Sequence, residues 1–167
     1  MGARVIGIDP GSRITGYGIV ERQGNRLVHI ASAPIMAYKT SKLFPERMEI
    51  IFDALRHAID TYEPDVAVIE DIFYHRNAQS ALKLGHARGV AMLATQIARL
   101  PLAEYQPTQI KQAVTGNGSA NKELVRKMVS LLLGIPAPSN FDESDSLAVA
   151  ICHLNTIPIL QHLRSRR

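Results

Sequence analysis

Asp9 closes the apolar run Val5-Ile6-Gly7-Ile8, and Glu70 closes a second one, Val66-Ala67-Val68-Ile69. Pro10 fixes φ and Gly11 tolerates positive φ, so the chain turns after Asp9 and presents that carboxylate at a strand end. Far along the chain, Asp142 and Asp145 stand in Phe141-Asp142-Glu143-Ser144-Asp145. Their i, i+3 spacing places both on one helical face, near an N-terminus whose dipole favours anions. Val149 and Cys152 continue the same face and turn it inward. If the two strands are sheet neighbours, Asp9 and Glu70 emerge at one edge, and the repulsion calls for a divalent cation with oxygen ligands.

Each acid alone also reads as a cap, a solvated first-turn residue or an ion-pair partner. Jointly, four carboxylates without a His or Cys cluster point to Mg²⁺ or Mn²⁺ rather than zinc. The histidines at 29, 57, 75, 86, 153 and 162 share no ligand spacing. A pair of hard ions about 4 Å apart activates water and stabilises the leaving oxygen in phosphodiester hydrolysis. Asp71 and Glu143 are second-choice ligands, because strand alternation and helical rotation send them away from their neighbours.

Two aromatics and a cation follow Glu70 in Ile72-Phe73-Tyr74-His75-Arg76-Asn77. Loop aromatics beside a nuclease centre serve as base-stacking platforms, with core packing as the other reading. Lys111, Lys122, Arg126 and Lys127 bracket Gly116-Asn117-Gly118-Ser119, a glycine loop leading to a helix N-terminus that suits a phosphate. A solvated helix face explains Arg126 and Lys127 equally well.

The elements that must position these residues follow from periodicity. Strands are expected at about Arg4 to Asp9, Ile14 to Glu21 and Leu27 to Pro34, as an antiparallel meander, then Val66 to Glu70 and Leu102 to Tyr105. Helices are expected from about Ser41 to Tyr62, Asn77 to Arg99, Thr108 to Val114, Asn121 to Leu133 and Asp142 to Ile159, the last capped by Pro138-Ser139-Asn140. Ala81, Gly85 and Gly89 form a small-residue ridge on the second of these helices. It serves either the subunit core or, as the favoured reading, two-fold pairing in a homodimer. Strands followed by alternating helix and strand give an α/β fold, a sheet of five strands flanked by helices.

Composition supports a single domain over residues 1–160 with a flexible basic tail at 161–167. The 167-residue chain is 46% hydrophobic and 20% charged, with net charge +4, which excludes a disordered chain and mildly favours polyanionic partners. It holds neither an apolar run of about 20 residues nor a secretory leader pattern, so no membrane association and a cytoplasmic location are expected. Cys152 is the single cysteine and lies in an apolar run, as a small hydrophobe would.

Gly7-Ile8-Asp9-Pro10-Gly11-Ser12-Arg13, Thr15-Gly16-Tyr17-Gly18, Ile69-Glu70, Asn77 with Ser80-Ala81-Leu82-Lys83-Leu84-Gly85, Ala87-Arg88-Gly89, and Asp142 with Asp145 before Leu147-Ala148 occur in this order. Together they resemble RuvC, the family of bacterial Holliday junction resolvases, over nearly the whole chain. The resemblance implies an RNase H-like fold, a homodimer, and Mg²⁺-dependent symmetric nicking of four-way DNA junctions. Asp9, Glu70, Asp142 and Asp145 then fall on the catalytic, metal-holding positions, with two Mg²⁺ per site and Mn²⁺ as a substitute. Phe73, Tyr74, Arg76, Lys111 and Lys122 become the DNA contacts. It further implies 5′-phosphate and 3′-hydroxyl ends, cutting within thymine-containing sequences, and partnership with a RuvA-RuvB branch-migration complex. The competing readings are an actin-like ATPase, which would need a second Gly-x-Asp-x-Gly hairpin, a non-catalytic junction binder, and an RNase H-like nuclease with another structured substrate.

Overall fold

Period-two alternation gives every strand two unlike faces, and the two kinds of face are covered by different helices. The computed structural model describes residues 2–71 and 77–164, with side chains through Ile157. β1 (Arg4–Asp9), β2 (Thr15–Gln23) and β3 (Arg26–Ile35) form the expected meander. β4 (Val66–Glu70) adds to β1 in parallel and β5 (Leu102–Tyr105) adds to β4, giving a mixed five-stranded sheet in the order β3-β2-β1-β4-β5. β3 is an edge strand, and Pro34 within it faces Gly16 of β2.

α1 (Ala37–Thr40) and α2 (Phe44–Tyr62) join β3 to β4, and α3 (Ala78–Ile97) joins β4 to β5. α4 (Pro107–Thr115), α5 (Lys122–Leu133) and α6 (Phe141–Arg164) complete the chain. Two boundaries differ from the sequence reading by three residues or more. The helix expected from Ser41 begins at Phe44, with Pro45 in its first turn, and a separate short helix precedes it. That short helix owes its place to tertiary contacts: Ala37 is buried, and the Tyr38 N–H donates to the Arg13 carbonyl at 3.1 Å. The last helix continues past Ile159 to Arg164. Elsewhere caps match chemistry, as where the Asn77 and Asn121 side chains accept from the Ser80 and Leu124 N–H groups.

On one side of the sheet Ile6, Ile8, Ile19, Ala67 and Ile69 pack against Ile51, Leu55, Ala58 and Ile59 of α2 and Ala91 and Ala94 of α3. On the other, Val5, Val20 and Val68 meet α6 through Leu147, Ala150, Ile151 and Leu154, with Ile110 of α4 and Val129 of α5 outside. This second face carries Gly7, Gly16 and Gly18. A Cβ on Gly7 would lie 2.1 Å from the Ser146 carbonyl oxygen, one on Gly16 1.9 Å from the Asp142 carbonyl oxygen, and one on Gly18 2.7 Å from Leu147. α6 therefore rests on the strands backbone to backbone, which only glycine permits.

Among the described residues nothing covers the glycines of the α3 ridge: none lies within 4 Å of a Cβ built on Gly85 or Gly89. Leu82, Leu93 and Ile97 of the same helix are 65%, 54% and 52% exposed. Among the described residues α3 packs inward through Ala87, Ala91, Ala94 and Thr95, not through Gly85 and Gly89. Among the described residues no helix is long and apolar enough to cross a membrane.

Candidate active site

Asp9 ends β1 opposite Gly16, and the parallel register pairs Ile8 with Ile69, so Asp9 and Glu70 leave neighbouring strands at the same end. The close seat of α6 on Gly16 carries Asp142 to that end as well. Asn140 is the residue that caps α6: its side chain accepts from the Asp142 N–H at 2.7 Å, and its carbonyl from the Ser144 N–H at 3.2 Å. Asp142 is thereby released from capping. Asp145, one turn on, is only 19% exposed and accepts a hydrogen bond from Lys122 Nζ at 2.7 Å, so it is not a solvated first-turn acid. All four predicted acids converge.

The two discounted acids point elsewhere. Asp71 lies 3.8 Å from Arg88, which also pairs with Glu104. Glu143 accepts from Ser32 Oγ at 2.6 Å, and Ser32 Oγ lies 2.8 Å from His29 Nε2.

Crowding of like charges marks the cluster. Burial, with the charges of Asp145, Glu70 and Asp142, raises the Asp9 carboxyl well above its ordinary 3.8, against a smaller opposing pull from Lys122. Burial and the Asp145 charge raise Glu70, while Lys122 and Lys111 oppose them. Burial raises Asp142 too, partly offset by a backbone hydrogen bond and by Lys122. Burial works against the charged form of Lys122, but the hydrogen bond to Asp145 and the charges of Asp145, Asp9 and Asp142 together hold its ammonium above the ordinary range. The centre is thus short of positive charge, and one lysine supplies part of it.

A hard divalent ion fits this donor set by its chemistry. The donors are all carboxylate oxygens, and Asp9 accepts no hydrogen bond from another described side chain. The shell is not closed as it stands. Among the described residues no three His, Cys, Asp or Glu groups are drawn together as a finished metal cage, and Asp145 is engaged by Lys122.

Lys111 and Lys122 also come to the site, lining with Glu70, Asp145, Ile110 and Val125 a cavity of about 170 Å³. Arg126 instead lies over the Phe141 ring, 5.5 Å from its centre, and 3.8 Å from Glu123. Cys152 is buried and its thiol is pushed up to about 11, so it is inert at neutral pH. Phe73, Tyr74 and Arg76 lie outside the described residues. Sequence reasoning missed the clamp of Lys122 on Asp145 and the seating role of Gly7, Gly16 and Gly18. The glycines left a signal in their alternation with Asp9 along the strands; the ion pair left none.

Comparison with known proteins places this geometry. The family model for crossover junction endodeoxyribonuclease RuvC matches residues 5–153. The RuvC endonuclease of Geotalea uraniireducens is 51% identical over 153 residues, 92% of this chain and 89% of that one. The RuvC endonuclease of Geobacter metallireducens is 51% identical over 164 residues, 98% of this chain and 99% of that one. Among solved structures, Thermus thermophilus RuvC in complex with a Holliday junction substrate superposes with a TM-score of 0.87 at 30% identity, covering 94% of this chain and 96% of that one.

Proposed function

The chain belongs to the RuvC family of crossover junction endodeoxyribonucleases, and from that premise we propose how its residues divide the work on a four-way DNA junction. It is a Holliday junction resolving endonuclease with an RNase H-like fold. The observation that carries the catalytic reading is the convergence of Asp9 with Glu70, Asp142 and Asp145 at one end of the sheet.

These four carboxylates would hold two Mg²⁺ ions, or Mn²⁺ in their place, which would supply an activated water and positive charge at the scissile phosphate. The remaining work belongs to the chain itself. With that positive charge in place Asp9 and Glu70 would be held as carboxylates at their strand ends, while α6 holds Asp142 and Asp145 opposite them. Lys122 and Lys111 take up phosphate charge beside Glu70 and Asp145 and keep the strand in line for attack. Attack at phosphorus expels the 3′ oxygen and leaves a 5′-phosphate and a 3′-hydroxyl. Phe73 stacks on a base near the cut, with Tyr74 and Arg76 as further contacts.

The exposed α3 ridge of Leu82, Gly85, Gly89, Leu93 and Ile97 supports a two-fold homodimer. Two sites then face opposed strands, so paired nicks leave ligatable duplexes. A cytoplasmic location and hand-over from a RuvA-RuvB branch-migration complex complete the reading.

The decisive experiment incubates the protein with a mobile four-way junction and with plain duplex, each with and without Mg²⁺. Symmetric, Mg²⁺-dependent junction nicking that disappears in Asp9→Asn is expected; equal cutting of plain duplex overturns the proposal. Phe73→Ala should impair nicking more than junction binding, and unchanged nicking removes Phe73 from the site.

A further inference from the structure

The lysine-lined cavity occupies only one flank of the acids. On the other flank, beyond Asp142, an open cleft of about 550 Å³ is lined by Ser12, Arg13, Tyr38, Ser80 and Lys83. Its walls come from three places: the turn between β1 and β2, the short helix α1, and the first turns of α3. Asp142 belongs to both the cleft and the acidic cluster, so the cleft is continuous with the catalytic centre.

Arg13 is held in this cleft rather than waving above it. Its guanidinium carbon lies over the Tyr38 ring, 4.9 Å from the centre, and its carbonyl accepts the Tyr38 N–H at 3.1 Å. α1 thus has a use: it fixes the arginine from backbone and ring at once. Stacking leaves the in-plane N–H donors of a guanidinium free, and among the described residues no acid pairs with Arg13 or Lys83. Ser12 and Ser80 add hydroxyls between the two cations. Two positive side chains and two hydroxyls in an open cleft next to an acidic centre suit the oxygens of a phosphodiester backbone. They do not suit an apolar ligand or a carboxylate-bound cation.

We propose that Arg13, stacked on Tyr38, and Lys83 bind backbone phosphates of the cleaved strand on the flank of the active site opposite Lys111 and Lys122. This inference rests on the junction-nicking reading above and extends it. A strand crossing the four acids is then gripped on both sides of the scissile phosphate, which fixes its register where the acids would otherwise repel it. Arg13 and Lys83 touch phosphate away from the reacting atoms and act as positioning residues, and Tyr38 acts through Arg13.

Filter binding of a radiolabelled four-way junction in chelator, across a series of salt concentrations, tests this without any turnover. Arg13→Gln and Lys83→Gln should each weaken binding roughly tenfold and lower the slope of log affinity against log salt by about 1. Arg13→Lys should restore the slope, and Tyr38→Leu should weaken binding while keeping it, because the charge remains but its seat is lost. Arg26→Gln, which removes the same charge at the start of β3, at the far end of the β2–β3 hairpin, should leave both quantities unchanged. Unchanged slopes in the two cleft variants overturn the inference, as does an equal loss in Arg26→Gln, which would reduce the effect to net charge. Lys83 is exposed on α3, so its variant carries the test should Arg13→Gln fail to fold. Absence of junction nicking by the wild-type protein with Mg²⁺ defeats the parent reading; wild-type nicking with unaltered slopes defeats this inference alone.

Discussion

The two faces of the sheet are built on opposite principles. Toward α2 and α3, Ile6, Ile8 and Ile19 fill the gap between strand and helix with branched side chains, and the contact is largely apolar. Toward α6, Gly7, Gly16 and Gly18 abolish the gap, and helix backbone touches strand backbone. The acids follow the same division. Asp9, Glu70 and Asp142, all with raised proton affinities, lie on the α6 side, whereas the shifted group toward α2 is the Tyr17 phenol. A face that must hold acids close together cannot be cushioned by side chains, since each methylene would move Asp142 and Asp145 away from Asp9. A face that only needs to exclude water can be.

The largest effect that sharpens this contrast is expected at Asp9. Asp9→Asn should lower junction nicking by about three orders of magnitude or more, measured as single-turnover rates with Mg²⁺. The same change should stabilise the metal-free protein. Folding raises the proton affinity of Asp9, so in chelator the native state binds more protons than the unfolded one, and stability falls as pH climbs from 3.8 through the raised value. Removing that charge should therefore raise the thermal midpoint at neutral pH. A lower midpoint would mean that Asp9 stabilises the apo fold and that the charge-crowding account is wrong.

Next in size is a matched pair of core changes. Gly7→Ala adds one methyl where a carbonyl oxygen already lies 2.1 Å away, and should cost about 3 kcal/mol in urea unfolding. Ile8→Val removes one methyl on the opposite face of the same strand and should cost about 1 kcal/mol. Equal costs would erase the distinction between the faces.

On the outer surface of α3, Gly89→Phe should weaken self-association at least about tenfold by light scattering, with little change in subunit stability, because the position faces open space. An unaltered mass would refute the α3 pairing.

The smallest effect concerns His153, whose ring nitrogen meets the Tyr105 hydroxyl at 3.0 Å. Burial lowers its proton affinity below the ordinary 6.5, so the unfolded chain binds the extra proton and stability declines as pH falls through 6.5. His153→Gln should flatten the urea midpoint between about pH 7 and about pH 5. A slope that survives assigns the dependence to another group.

Much of this was written in local pattern. Strands β1, β4 and β5 fall on the expected residues, because β-branched runs between turn formers leave little choice. The four acids were legible as strand ends and as an i, i+3 pair. Periodicity alone sets Asp71 and Glu143 apart, and their contacts with Arg88 and Ser32 agree. What stayed hidden depends on contacts between distant segments. α1 exists through Ala37 and the Arg13 carbonyl, and Lys122 reaches Asp145 only because α5 docks on α6. The uncovered state of Gly85 and Gly89 was likewise a question of which neighbour arrives, and spacing on one helix does not answer it.

Pro34 has a consequence for the open edge of the sheet. It stands on edge strand β3, opposite Gly16, close to the catalytic end of the sheet. A proline on an edge strand has no amide N–H to donate, which hinders a foreign strand from extending the ladder past it. The chain is thereby protected from edge-to-edge aggregation at the end where the four acids gather.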